Sequence, residues 1–372
     1  MEEMRVLTAG GRDLGGADAV IFLARQIWWG WPFAALARLP GMHKLLDRGY
    51  RWIAAHRGCD HIGCSLKERR TFERRFCKSA VEKSPPLEFW PAWTPLIAFP
   101  IVALLVLDRV APWVFMWLMA AAFFFGCKWL TFSRTREQIV HVRIDHALAY
   151  FFLWPGMDGE NFLCPPARKM PMLPHARATT AVAIARILLG AVLLFGLARF
   201  APHPLLAGWI GMLGMILVSH FGIFALLAIV WRACGTNVRP IMDAPLKSKT
   251  LGEFWGRRWN GAFNQLAFEI VFRPVARSTG PILGAIAAFL ASGLIHELVI
   301  SLPARAGYGL PTAYFLLQGC GIIIQHRVPM IRHGMAGQFV TAFIVAVPAF
   351  WLFHPPFVRN VILPFMKAIG AL

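Results

Sequence analysis

Read by hydropathy, the chain alternates long apolar runs with shorter polar breaks. Apolar stretches lie at about 90–107, 112–131, 180–200, 206–231, 280–302, 312–326 and 338–354. A helix needs roughly 20 mostly apolar residues to cross a hydrocarbon core, so the pattern predicts about seven full spans. Two weaker pieces, near 19–38, interrupted by Arg25, and 146–154 (HALAYFFLW), suit interfacial or re-entrant segments. The expected fold is an all-α, multi-pass transmembrane bundle of about 7–9 membrane helices.

Composition agrees with that solvent. Hydrophobic residues make up 57% of the 372 positions and charged residues 15%, too apolar for ordinary soluble domains. The net charge of +19 is not spread as in a nucleic-acid binder, and no nucleic-acid motif or glycine-rich phosphate loop accompanies it. Residues 44–83 hold eleven Lys or Arg against five Asp or Glu; 132–144 carries Arg134, Arg136 and Arg143; 232–259 carries Arg232, Arg239, Lys247, Lys249, Arg257 and Arg258. The connections at 108–111, 201–205 and 303–311 carry one Arg or none. Basic loops face the cytoplasm by the positive-inside rule, which alternates correctly along 90–354. The polar N-terminus shows no cleavable signal peptide. The seven cysteines are scattered, which argues against a disulfide framework. His56, Cys59, His61 and Cys64 offer metal-ligand types, but without two separated pairs, and read as a solvated basic loop. No metal site is expected.

Two stretches carry chemistry. The first, FLASGLIHELVISLP at 289–303, places His296 and Glu297 in mid-span. Ionisable groups there are costly and face protein or a water-filled cavity. Ser292 and Gly293, four and three residues earlier on the same face, are expected to leave space beside the ring. Glu297 is rotated about 100° from His296 and needs a partner on another element. Ile300 occupies the second His position of an HExxH zinc signature, disfavouring metalloprotease chemistry.

The second stretch, KSKTLGEFWGRRWNGAFNQLAFEIVFRP at 247–274, opens with a capping box, Thr250 to Glu253, that starts a helix near Leu251. Continued as one helix, it would align Trp255, Trp259, Phe263 and Leu266 on an apolar stripe, with the tryptophans in a headgroup layer. Glu253, Gly256, Arg257, Asn260 and Asn264 would fall opposite.

The string TLGEFWGRRWN at 250–260, followed by SGLIHEL at 292–298, resembles the wax synthase-like branch of the membrane-bound O-acyltransferases. FFLWPGMD at 151–158 and NVRPIMDAPLKSKTLGEFW at 237–255 resemble it too, so that the similarity covers roughly 145–330; the first 85 residues show none. The resemblance implies a tunnel through the bilayer where an acyl donor, commonly acyl-CoA, meets an acceptor hydroxyl beside an intramembrane His. That His corresponds to His296, and the preceding polar family residue to Asn260. Substrate-lining candidates are Trp255, Arg257, Arg258, Trp259, Asn264, Ser292, Glu297 and His220, with Lys247 and Lys249 beside the arginines for donor phosphates. No cofactor is implied beyond acyl-CoA as co-substrate. The division expected is 1–88, an interfacial helix and basic cytoplasmic region, and 89–372, an acyltransferase-like membrane domain. The membrane would be the inner membrane of a prokaryote or the endoplasmic reticulum of a eukaryote. Transfer to a lipid or long-chain alcohol is the expected reaction; a sugar, polymer or protein acceptor, or a non-catalytic lipid transporter, stands as the alternative.

Overall fold

The computed structural model describes residues 89–136, 142–163 and 176–372, together with 5–7, 13–15, 18, 37, 42 and 47–48. The apolar piece at 19–38, the basic stretch 44–83 as a whole and the His56–Cys64 cluster lie outside the described residues. The chain divides into two units, Met1–Pro86 and Leu87–Leu372. In the first, β1 (Arg5–Leu7) pairs antiparallel with β2 (Asp13–Gly15), Arg5 opposite Gly15.

The second unit is helical. In chain order it contains α1 (Phe89–Leu104), α2 (Pro112–Arg136), α3 (Ile144–Phe152), α4 (Thr179–Phe200), α5 (Pro204–Ala233), α6 (261–279), α7 (Pro281–Ala304), α8 (Leu310–Arg327), α9 (Gly334–Leu352) and α10 (355–368). Among the described residues, α2, α4, α5, α7 and α9 are long and apolar enough to cross a membrane. The second unit is thus an all-α, multi-pass integral membrane bundle, and of the seven spans expected from hydropathy five meet that test among the described residues. The stretch 90–107 forms a 16-residue helix containing Pro95 and Pro100. The stretch 312–326 forms the 18-residue α8, whose hydropathy is lowered by the buried Gln318 and Gln325.

Helices approach closely where side chains are missing. A Cβ on Gly190 of α4 would lie 2.6 Å from the Gly214 carbonyl of α5, and one on Gly214 2.7 Å from the Gly190 carbonyl. Small residues let backbones meet where lipid offers no hydrophobic drive to association. The core has two main parts. One joins α2, α3, α5 and the loop before α6 through Leu130, Tyr150, Trp154, Phe162, Ala228, Val238 and Leu266. The other joins α5, α7, α8 and α10 through Met212, Ile300, Phe315, Val358 and Met366. The site lies where α7, α8 and the 251–260 turn meet.

Two glutamines on α8 moor that turn. Seven residues apart, Gln318 and Gln325 lie on one helical face. Trp255 Nε1 donates to Gln318 Oε1 at 3.2 Å, and the Leu251 amide donates to Gln325 Oε1 at 2.7 Å. Their own amides reach α9, at the Ile344 carbonyl (2.9 Å) and Thr341 Oγ1 (3.3 Å). Both polar side chains are satisfied within the protein, as their burial demands.

Candidate active site

α7 carries His296 four residues beyond Ser292, so the ring reaches back one turn. His296 Nδ1 lies 2.7 Å from the Ser292 carbonyl oxygen. A carbonyl can only accept, so Nδ1 bears the proton and Nε2 keeps its lone pair. Nε2 has no hydrogen-bond partner among the described residues. The ring packs on Phe315 of α8, centroids 4.5 Å apart. The geometry orients the imidazole on its own helix and leaves Nε2 without a hydrogen-bond partner among the described residues.

Gly293 does not leave the space expected of it. A Cβ there would lie 2.7 Å from Thr312 Cα, so the missing side chain admits the α8 backbone and not a ligand. Gly293→Ala is expected to force α7 and α8 apart and destabilise by about 1–3 kcal/mol, the usual cost of overpacking. A drop in the thermal midpoint of detergent-purified protein would show it.

Glu297 finds its partner on another element, as its rotation requires. Oε1 accepts from the Gly309 amide (3.0 Å), the Thr312 amide (3.0 Å) and Thr312 Oγ1 (2.9 Å). The two amides are orphan donors at the start of α8, where a carboxylate also meets the favourable end of the helix dipole. Glu297 therefore caps a helix, and Oε2 is its one atom without a partner.

The capping box at 250 forms as its sequence predicts: the Glu253 amide donates to Thr250 Oγ1 at 3.0 Å, and Glu253 Oε2 accepts from the Lys249 amide at 2.8 Å. The helix does not continue to 274. It ends in a widened turn at Phe254–Arg258; Trp259 is extended, and Asn260 adopts left-handed φ 47°, ψ 56° before α6 begins. Asn is among the few residues that tolerate this conformation. The tryptophans consequently turn into the protein instead of forming a headgroup stripe. Trp255 contacts Phe315 (5.6 Å), Phe289 (6.1 Å) and Trp259 (6.5 Å), and Trp259 stacks on Phe254 (5.5 Å). A run of aromatic contacts thus leads from His296 through Phe315 and Trp255 to Trp259, the neighbour of Asn260. The Asn260 amide donates to Met242 Sδ at 3.3 Å, whereas its side chain makes no hydrogen bond among the described residues.

The remaining candidates divide. Asn264 Nδ2 donates to the Trp255 carbonyl and closes the turn. Arg258, largely buried, is held by Glu253 Oε1 at 2.8 Å and the Asp243 carbonyl at 3.0 Å. Arg257 is exposed, with Asp243 Oδ2 at 3.8 Å, and Lys247 and Lys249 are exposed as well. His220 lies on a widened turn of α5, its Nδ1 2.8 Å from Ser219 Oγ; its neighbour Phe221 reaches Trp259 at 6.2 Å. Lys128, Gln318 and Gln325 are buried polar residues that the sequence reading did not single out. Their signal was a polar side chain inside an apolar run, as at 296.

Partial burial works to raise the Glu253 carboxyl, but the Lys249 amide and the Arg258 and Arg257 guanidiniums outweigh it and hold the group below its ordinary value. A depressed folded-state pKa adds stability above the unfolded value, about 4.3, that is lost as pH falls through the folded one. Glu253→Gln is therefore expected to lower the thermal midpoint at neutral pH, and the difference from wild type should vanish at acid pH. A midpoint difference independent of pH would contradict this.

Residues 238–317 match the family described as "Membrane bound O-acyl transferase family". An Arabidopsis thaliana protein named "Probable long-chain-alcohol O-fatty-acyltransferase 2" is 32% identical over 180 residues, covering 44% of this chain and 51% of that protein. The "Long-chain-alcohol O-fatty-acyltransferase" of Simmondsia chinensis is 29% identical over 150 residues (36% and 42%). "Acyl-CoA--sterol O-acyltransferase 1" of Arabidopsis thaliana is 29% identical over 153 residues (36% and 44%). The aligned stretches span about half or less of these relatives' length. The match contains the 251–260 turn, Asn260, His296 and the first turns of α8, and it supports the wax synthase-like resemblance.

Proposed function

We propose, from the match of residues 238–317 to the membrane bound O-acyl transferase family, that this protein transfers a fatty acyl group from acyl-CoA to the hydroxyl of a lipid or long-chain alcohol. The observation that carries the reading is the His296 tautomer: Nδ1–H is committed to the Ser292 carbonyl, which leaves Nε2 as a base in an aromatic setting. The names of the similar proteins, which specify long-chain alcohols and a sterol, support this acceptor class.

In the proposed reaction the acceptor hydroxyl sits at Nε2. As its oxygen attacks the thioester carbonyl, the hydroxyl proton passes to Nε2, giving an imidazolium and a tetrahedral oxyanion. Neutral imidazole suits this step because its reference pKa lies near working pH. The side-chain amide of Asn260 supplies an N–H to the oxyanion. Collapse expels the thiolate of CoA, which takes the proton from Nε2, so that ester and free CoA leave and the neutral ring is restored. Lys247, Lys249 and Arg257 stand exposed on the basic side of the bundle, where they would meet the phosphates of the donor.

The test is acyl transfer by the purified protein from labelled long-chain acyl-CoA, offered fatty alcohols, sterols, diacylglycerol and sugars. Ester formed with a lipid alcohol is the expected result. Transfer to sugars alone, or no transfer to any acceptor, would overturn the assignment.

A further inference from the structure

Lys128 lies in α2 eight residues before Arg136, roughly 12 Å inside the end of the helix, in a segment long and apolar enough to span a membrane. It does not snorkel toward water. The side chain is fully buried, 0% exposed, and forms no ion pair among the described residues. Nζ donates instead to the Gly156 carbonyl and stands 3.6 Å from the centre of the Tyr150 ring. Tyr150 is fixed in turn by a 2.7 Å hydrogen bond to Thr131 on α2. A buried amine without a carboxylate is costly in a membrane span, so its retention calls for a role.

The Gly156 carbonyl belongs to the 153–158 turn, which leads from α3 into the short helix Gly159–Leu163. Trp231 Nε1 tethers the same turn through the Leu153 carbonyl at 3.1 Å. The next contact runs toward the site, where the Asn237 amide donates to the Asn161 carbonyl at 3.0 Å. The strand-like segment 237–243 is then seated at its other end, the Asp243 amide on the Arg258 carbonyl (2.9 Å) and the Gly261 amide on the Ile241 carbonyl (2.9 Å). Those two bonds bracket Asn260, whose own amide rests on Met242.

We infer that Lys128 is a positioning residue for Asn260: its amine fixes the 153–158 turn, on which segment 237–243 and, through it, the left-handed Asn260 are seated. The inference rests on the acyl-transfer reading for its kinetic test, and an activity-independent measurement accompanies it. Lys128→Met keeps length and apolar stem but removes the donor; Trp231→Phe removes the second tether of the same turn with little change of shape.

In lipid nanodiscs, Lys128→Met is expected to lower kcat by about tenfold or more, the scale of a small misplacement of a reacting group, with KM for acyl-CoA and acceptor unchanged. Combined with Asn260→Gly, it should add nothing to the loss caused by Asn260→Gly alone, because both act through one group. Trp231→Phe should show the same pattern in milder form, and it carries the test if Lys128→Met fails to fold. Wild-type kcat in either folded variant, or losses that add in the double variant, would overturn the inference. Hydrogen exchange decides independently of turnover: faster exchange at 237–243 and 258–261 in the variants supports the coupling, and unchanged exchange refutes it. Absence of transfer by the wild type would strike the functional reading alone and leave that exchange result standing.

Discussion

Replacing His296 by alanine is expected to lower turnover by about 10² to 10⁴, the range contributed by a positioned general base, and to leave a folded, membrane-inserted protein. The structural cost is small because the ring's contacts are few. It packs at a tilt against Phe315 and uses one nitrogen on a carbonyl of its own helix, and no other element hangs on it. His296→Gln sharpens the test: an amide can still donate toward Ser292 but cannot accept a proton at working pH, so its loss should equal that of alanine. Initial rates with labelled acyl donor, alongside size-exclusion profiles and thermal midpoints, check both. Activity that survives, or activity and folding that fall together, would make His296 a packing residue.

Asn260 is expected to show the second-largest effect, and its backbone lets two contributions be separated. Removing an oxyanion donor costs about 10² to 10³ in kcat. Forcing an ordinary side chain into left-handed φ costs roughly 1–2 kcal/mol of stability. Asn260→Gly tolerates the φ of 47° and deletes the amide, so kcat should collapse while the thermal midpoint stays near wild type. Asn260→Ala should lose both. Asn260→Asp retains shape and tolerance of the conformation but offers no N–H, so it should behave kinetically like glycine. A wild-type kcat in Asn260→Gly would confine Asn260 to a turn-forming role.

Much of this site was legible because lipid makes polar residues conspicuous. A histidine and a glutamate in an apolar run mark themselves, and the helical angle between them predicts that Glu297 must look to another element, as Thr312 and Gly309 confirm. Thr250 and Glu253 announced a helix start by local chemistry alone. The break at Trp259 and Asn260 was missed because tryptophans at 255 and 259 fit a helical period as well as they fit a turn folded inward. The Asn260–Gly261 pair is a turn signal that the period overrode. Gly293 promises space beside the ring because a missing side chain looks the same whether an open gap or a neighbouring backbone lies against it. Two of the seven expected spans fall short of the length and hydropathy test among the described residues. α1 is 16 residues long among the described residues, and α8 carries the inward-facing Gln318 and Gln325.

Consecutive positions on α7 hold the imidazole and the clasp on α8. Because neighbouring residues stand about 100° apart around a helix axis, α7 cannot rotate or slide to carry His296 elsewhere without tearing three hydrogen bonds from Glu297. The imidazole is therefore locked to the frame that α7 and α8 share.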